Sequence, residues 1–135
     1  MNAPITLSGS TVVVDRRGAT LTEPAPADLI LGPGDDPRRF TRAVSSASVI
    51  EIDFPTLRDG RGYTHAHRLR ALGFTGTLRA VGDVGVDQLH YLLRSGFDEF
   101  QLPPDAPLDA ARRALARFAH FYEGVRVRAA ASFVG

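Results

Sequence analysis

From Ser48 onward the chain repeats one phrase: a short apolar strand, a brief loop, an amphipathic helix, and a glycine that ends the helix. Val49 to Phe54 read as a strand closed by Pro55, and Tyr63 to Leu72 as a helix closed by Gly73. Thr77 to Val81 read as the next strand, and Val84 to Arg94 as a helix closed by Gly96. Phe97 to Leu102 form a third strand, with Pro103 and Pro104 in its exit. Asp105 can cap a last helix, with Pro107 in its first turn and a body running toward Phe121; Gly124 then precedes a short strand over Val125 to Val127. A helix between two strands demands a crossover, so the strands lie parallel and the helices pack back on them with right-handed connections. The pattern predicts an α/β domain, an incomplete or half-barrel-like arrangement of successive βα units with a mostly parallel sheet.

Gly73-Phe74 and Gly96-Phe97 stand 23 residues apart, each after a leucine-rich helix and before a strand. That length suits one compact βα unit, produced either by duplication or by recurring helix-cap chemistry. The helical faces agree with the packing. Tyr63, Ala66, Leu69 and Leu72 make one apolar stripe, Leu89, Leu92 and Leu93 a second, and Leu108, Ala111, Leu115 and Phe118 a third.

Upstream, Thr11 to Asp15 read as a strand turned by Arg16 to Gly18, and Leu29 to Leu31 as another, with Pro24 and Pro26 between them. Asp35 or Asp36 can cap a helix that starts near Pro37. The reading is one α/β domain over residues 25–128, a flexible or strand-containing extension over 1–24, and a tail over 129–135.

The strands also carry an unusual second face. Ile50, Ile52 and Phe54 alternate with Val49, Glu51 and Asp53; Arg79 alternates with Leu78 and Ala80; Glu99 and Gln101 alternate with Phe100 and Leu102. If Glu51, Asp53, Arg79, Glu99 and Gln101 share a face, it needs water, a partner or an internal polar network. Burying such groups unpaired costs several kcal/mol.

Several function classes fall away on composition. Sixteen basic against fifteen acidic residues leave a formal charge of +1, and no nucleic-acid motif accompanies the Arg112, Arg113, Arg117, Arg126 and Arg128 stripe, which reads as a solvated face. Without cysteine there is no disulfide, thiol nucleophile, thiolate cluster or cysteine-bearing zinc site. No apolar run reaches spanning length and no leader pattern opens the chain, so the expectation is a cytoplasmic protein without a membrane segment. His65 and His67 sit two apart and point different ways on a helix, while His90 and His120 lie far along the chain; the expectation is no metal and no cofactor.

Chemistry concentrates in two strand-to-helix loops. Arg58-Asp59-Gly60-Arg61-Gly62-Tyr63 leaves the first strand at its C-terminal edge, where ligand sites of open α/β sheets gather. Arg58 and Arg61 can hold a small oxyanion beside a helix N-terminus, or they can pair with Asp59 in a structural loop. In the second loop Asp83 and Asp87 can cap a helix or join the first loop. Only a joint site would let Asp59 and Asp83 divide acid and base roles, with His65 at the mouth as a proton shuttle.

The ordered block Asp53-Phe54-Pro55-Thr56-Leu57-Arg58-Asp59-Gly60-Arg61-Gly62-Tyr63 now becomes recognisable. With Leu69-Arg70, Gly73-Phe74, Gly76, Leu78-Arg79-Ala80-Val81-Gly82-Asp83, Asp87-Gln88-Leu89 and Arg94-Ser95-Gly96-Phe97-Asp98, it resembles the bacterial family DUF934 over residues 25–123. The resemblance carries a signature onto Phe54, Pro55, Arg58, Asp59, Gly60, Arg61, Gly62, Arg79, Gly82, Asp83, Asp87 and Gln88. Of these, Arg58, Asp59, Arg61, Arg79, Asp83, Asp87 and Gln88 are the expected ligand- or partner-binding residues. Val86 stands where relatives often have a basic residue, and Gly85 is less bulky than the familiar pattern, which weakens any proposal needing another arginine there.

Family members often lie beside assimilatory sulfite reductase genes. The resemblance therefore implies an accessory or scaffold protein for sulfite reduction, with a reductase component as partner. The alternative is a small enzyme acting on an oxyanion or phosphorylated metabolite. A short series of βα units also leaves sheet edges that a homodimer, or the N-terminal strands of one chain, would cover.

Overall fold

The computed structural model describes residues 11–56 and 59–118. They form one six-stranded sheet from β1 (Val12–Asp15), β2 (Thr20–Leu21), β3 (Leu29–Leu31), β4 (Val49–Phe54), β5 (Thr77–Gly82) and β6 (Glu99–Leu102), in spatial order β2-β1-β6-β5-β4-β3. The helices are α1 (Thr41–Ser46), α2 (Arg61–Ala71), α3 (Leu89–Arg94) and α4, described over 108–118. β3 to β6 run parallel, and β1 enters antiparallel beside β6 and β2. The sheet is mixed, mostly parallel and not closed into a barrel. The strand expected at Val125 to Val127 and the C-terminal tail lie outside the described residues.

Strand assignments from the alternating pattern match closely, and β6 starts at Glu99, two residues later than expected, because the Phe97 N–H is spent on the turn that ends α3 and the Asp98 carboxylate on Arg70. The region expected as one helix from Val84 is instead a 3-10 turn (Val86–Gln88) followed by α3. The helix expected near Pro37 is likewise a 3-10 turn (Pro37–Arg39), capped by the Asp36 carboxylate on the Arg38 N–H, and α1 follows it. The strand read at Thr11 to Asp15 in the N-terminal extension is β1 of the same sheet, and β2, which the sequence reading did not assign, lies beside it.

All four helices cover one face. Val44 of α1, Ala66 and Leu69 of α2, Leu89, Leu92 and Leu93 of α3, and Ala111 and Leu115 of α4 share a single core with Val14, Leu31, Ile52, Ala80 and Phe100. Consecutive parallel strands laid down in one direction by right-handed crossovers leave every helix on the same side.

The recurring Gly-Phe pair has a specific cause. Gly73 (φ 98°) and Gly96 (φ 100°) adopt left-handed backbone just past α2 and α3, which side chains resist. The Phe74 N–H then bonds the Leu69 carbonyl, and the Phe97 N–H the Leu92 carbonyl, with Gly73 and Gly96 bonding Arg70 and Leu93. Both are Schellman endings, and in each the phenylalanine and the leucine it caps are buried in the core.

One side chain joins the two endings. Arg70, 1% exposed, donates through Nε and Nη2 to the Gly96 carbonyl (3.2 and 2.7 Å) and through Nη1 to the carbonyls of Phe74 (3.0 Å) and Gly76 (2.8 Å). Its Nη2 also meets Asp98 Oδ2 at 2.7 Å, and that oxygen accepts from the Leu78 N–H. The buried positions of α2 are Gly62, His65, Ala66, Leu69 and Arg70, so the inward stripe is rotated from the expected one and includes two polar residues.

The opposite face holds the expected row. Glu51 pairs in register with Arg79, and Arg79 with Glu99. Arg79 donates to Glu99 Oε1 (2.8 Å), to Glu51 Oε2 (2.8 Å) and to the Ala25 carbonyl (2.6 Å). The network is internal: the segment before β3 lies over the row and contributes its backbone.

Arg70→Ala is expected to lower the free energy of unfolding by about 3–5 kcal/mol, because it leaves a partly buried carboxylate without its cation and strands several carbonyls. Arg70→Lys should recover only part of this, since a compact ammonium cannot span both turns as the planar fork does. Chemical denaturation would measure both; a loss below about 1 kcal/mol for Arg70→Ala would show that the clamp is dispensable.

Candidate functional site

Register places the two polar loops together. Phe54, the last residue of β4, lies opposite Gly82, the last of β5, so both loops leave the same C-terminal edge. The Asp83 N–H donates to the Phe54 carbonyl at 2.7 Å and stitches one loop to the other. Gly62 in the first turn of α2 lies directly against the Phe54 ring, where a Cβ would collide. That approach brings Tyr63 edge-on to Phe54, with ring centroids 5.2 Å apart, and lets the Tyr63 hydroxyl donate to Gln88 Oε1 at 2.8 Å.

The crevice bounded by Phe54, Tyr63, Asp83, Val84, Gln88 and Leu92 is too tight to hold a water molecule. Asp83 and Asp87 are both exposed, Asp83 in the loop and Asp87 in the 3-10 turn that follows. Burial, with the charge of Asp87 and the neighbouring Tyr91, pushes the Tyr63 phenol above its ordinary value. The 3-10 turn starts from Gly85 without a side-chain cap.

The first loop closes on itself. Asp59 Oδ1 accepts from the Arg61 N–H (3.1 Å) and from Arg61 Nε (2.9 Å), while Oδ2 accepts from Nη2 (2.8 Å). The Arg61 guanidinium, and then its backbone N–H, hold the Asp59 carboxyl below the usual range. Arg61 is nevertheless 63% exposed, so its outer surface faces solvent. Arg58 lies outside the described residues.

His65 turns away from this crevice. It is 3% exposed, and its Nε2 lies 2.9 Å from the Gly32 carbonyl, in the loop after β3 whose Gly32 N–H is held by Asp35 Oδ2. Donation to that carbonyl puts the proton on Nε2 and leaves Nδ1 buried without a partner. Arg79 sits on the opposite sheet face, committed to Glu51, Glu99 and Ala25.

Of the expected residues, Asp83 and Gln88 line the crevice, Asp59 and Arg61 pair with each other in the first loop, and Asp87 lies in the 3-10 turn. His65 is turned to Gly32, and Arg79 lies on the other sheet face. Sequence reasoning missed the Tyr63–Gln88 bridge and the burial of His65. The second was signalled by spacing, since His65 stands three after Gly62 and four before Leu69 on the inward stripe. Among the described residues no group of three His, Asp or Glu side chains is placed to hold a metal ion. No described helix is long and apolar enough to cross a membrane.

Two further hollows are open to solvent, the second sharing Tyr63 and Gln88 with the crevice. One, about 430 Å³, sits at the other end of the sheet beside α1, lined by Thr41, Val44, Leu72 and Phe74 among others. The other, about 350 Å³, runs along the outside of α2 and α3 between Tyr63 and Tyr91.

Comparison with known proteins adds one finding. A family model described as a bacterial protein of unknown function (DUF934) matches residues 28–133. No curated protein and no solved structure matches the chain.

The Asp59–Arg61 pair makes a pH prediction. A depressed folded-state value means that its stabilisation is complete above the unfolded carboxyl value of about 3.9 and is lost as pH falls through the lowered one. In a carboxyl NMR titration Asp59 should titrate below the ordinary range, and Arg61→Ala should bring it back up. An ordinary value in the wild type would mean that the pair does not persist in solution.

Proposed function

The chain belongs to the DUF934 family, and from that premise we propose that it is a non-catalytic accessory protein that docks onto a component of assimilatory sulfite reduction. One observation carries the choice of docking over turnover: among the described residues the crevice between Phe54, Tyr63, Asp83 and Gln88 is too tight for a substrate, while Arg61 at the start of α2 is exposed. An arginine whose inner side is fixed by Asp59 offers a preorganised cation to an acidic surface, with little further entropy to lose on binding. The absence of cysteine fits a position beside electron-transfer machinery rather than within it. The family resemblance supplies the partner class, and charge complementarity supplies the route.

A second reading, a small enzyme acting on an oxyanion or phosphorylated metabolite, draws on His65, whose buried Nδ1 is without a hydrogen-bond partner. Turnover of such a compound, abolished by Asp59→Asn or Asp83→Asn without unfolding, would select it.

The docking reading is tested by direct affinity measurement against the reductase components, separately and together, at low and moderate ionic strength. Arg58→Glu combined with Arg61→Glu should weaken the complex by about tenfold or more, and the difference should shrink as salt screens the charges. Circular dichroism must show both forms folded. No association of the folded wild type under any of these conditions would remove the proposal.

A further inference from the structure

We infer that the groove between α2 and α3 is a docking site for an acidic peptide segment that carries an aromatic side chain. The inference rests on the docking reading and deepens it by naming a surface and the chemistry of what it takes.

Tyr91 is one of two large apolar side chains exposed among the described residues, at 55%, and it stands on this groove. Tyr63 forms the facing wall, its phenol held by Gln88 and its ring braced on Phe54. The hollow of about 350 Å³ opens broadly to solvent. It is near the lower end of the range for ligand pockets, roughly 300–1,000 Å³, a size that suits one inserted aromatic ring rather than an engulfed metabolite. An open slot between two phenols is the kind of place where an aromatic anchor gains most from burial and edge contact.

The rim decides the charge of the occupant. Arg94 is exposed at the C-terminal turn of α3, and His67 is exposed on α2; both line the groove. Arg61, Arg70 and Arg79 are each held by a carboxylate of this chain, whereas Arg94 forms no ion pair among the described residues. Gln88 uses its carbonyl oxygen on Tyr63 and retains its amide N–H groups as donors. Arginine, histidine and amide donors around two aromatic walls complement carboxylates and backbone carbonyls flanking an aromatic ring. The Asp87 carboxylate near Tyr63 sets the opposite polarity at that end, so the acidic flank of the segment belongs at the Arg94 end.

The test uses the full chain and the end-blocked peptide Asp-Asp-Trp-Glu-Glu. The chain has no tryptophan, so peptide emission and anisotropy report binding without background. Saturable binding is expected, with Lys-Lys-Trp-Lys-Lys at least tenfold weaker. Tyr91→Ala and Arg94→Glu should each weaken the acidic peptide by fivefold or more while leaving the melting temperature unchanged, because both side chains are exposed. Amide NMR shifts on the wild type give a readout that needs no variant, and they should centre on Tyr63, Gln88, Tyr91 and Arg94. Absence of saturable binding to millimolar peptide, shifts centred elsewhere, or unchanged affinity in both variants overturns the inference. Should the reductase bind while this peptide does not, docking stands and the groove is not its seat; peptide binding without reductase association is the converse.

Discussion

The buried Arg70 guanidinium governs the geometry of this protein. The carbonyls of Phe74 and Gly76 after α2, and of Gly96 after α3, all accept from this one side chain. A planar fork with five donors reaches both endings at once, and Asp98 neutralises its charge while steadying the start of β5 through the Leu78 N–H. Such an arrangement is tolerable in the interior because charge and hydrogen bonds are matched together. It sets where β5 and β6 begin relative to each other. The register that aligns Arg79 with Glu99, and the loops that leave the far ends of β4 and β5, follow from those starting points.

The division of labour between the two sheet faces comes from connection handedness. Helices on one side supply the apolar core, which leaves the other side to polar alternation and to the segment before β3. The Glu51–Arg79–Glu99 row places a cation between carboxylates on strands two apart, about 10 Å from each other across the sheet. With the Ala25 carbonyl as its third acceptor, Arg79 has little left to offer a ligand. Outward-directed chemistry is therefore concentrated at the C-terminal edge and on the helical surface.

Much of this was legible in the residues. Alternation in Val49 to Phe54 identified β4 and its polar second face, and the paired Gly-Phe signals located both helix endings. Arg70 and His65 were not recognised, because a hydrophobic stripe drawn only through apolar residues skips polar ones in the same helical phase. The spacing Gly62, His65, Ala66, Leu69, Arg70 carries the correct phase once polar residues are admitted to it. That both loops leave the same C-terminal edge follows from the parallel pairing of β4 and β5, which the recurring βα pattern predicts. What sequence could not weigh was competition for Asp59 and Arg79, since a neighbouring arginine or a carboxylate one strand away decides whether a charge is free to meet a partner.

The antiparallel seam between β1 and β6 has a consequence for how the chain is made. Val12 sits opposite Leu102, ninety positions later, and Arg16 reaches the Phe97 carbonyl at 2.7 Å. On a ribosome the first strand emerges long before its neighbour exists. The βα units can associate in order of synthesis, each beside the last, while β1 and its short companion β2 wait with apolar Val13 and Val14 uncovered. Assembly therefore ends where the chain began, and the step that completes the sheet is the one with the longest loop to close.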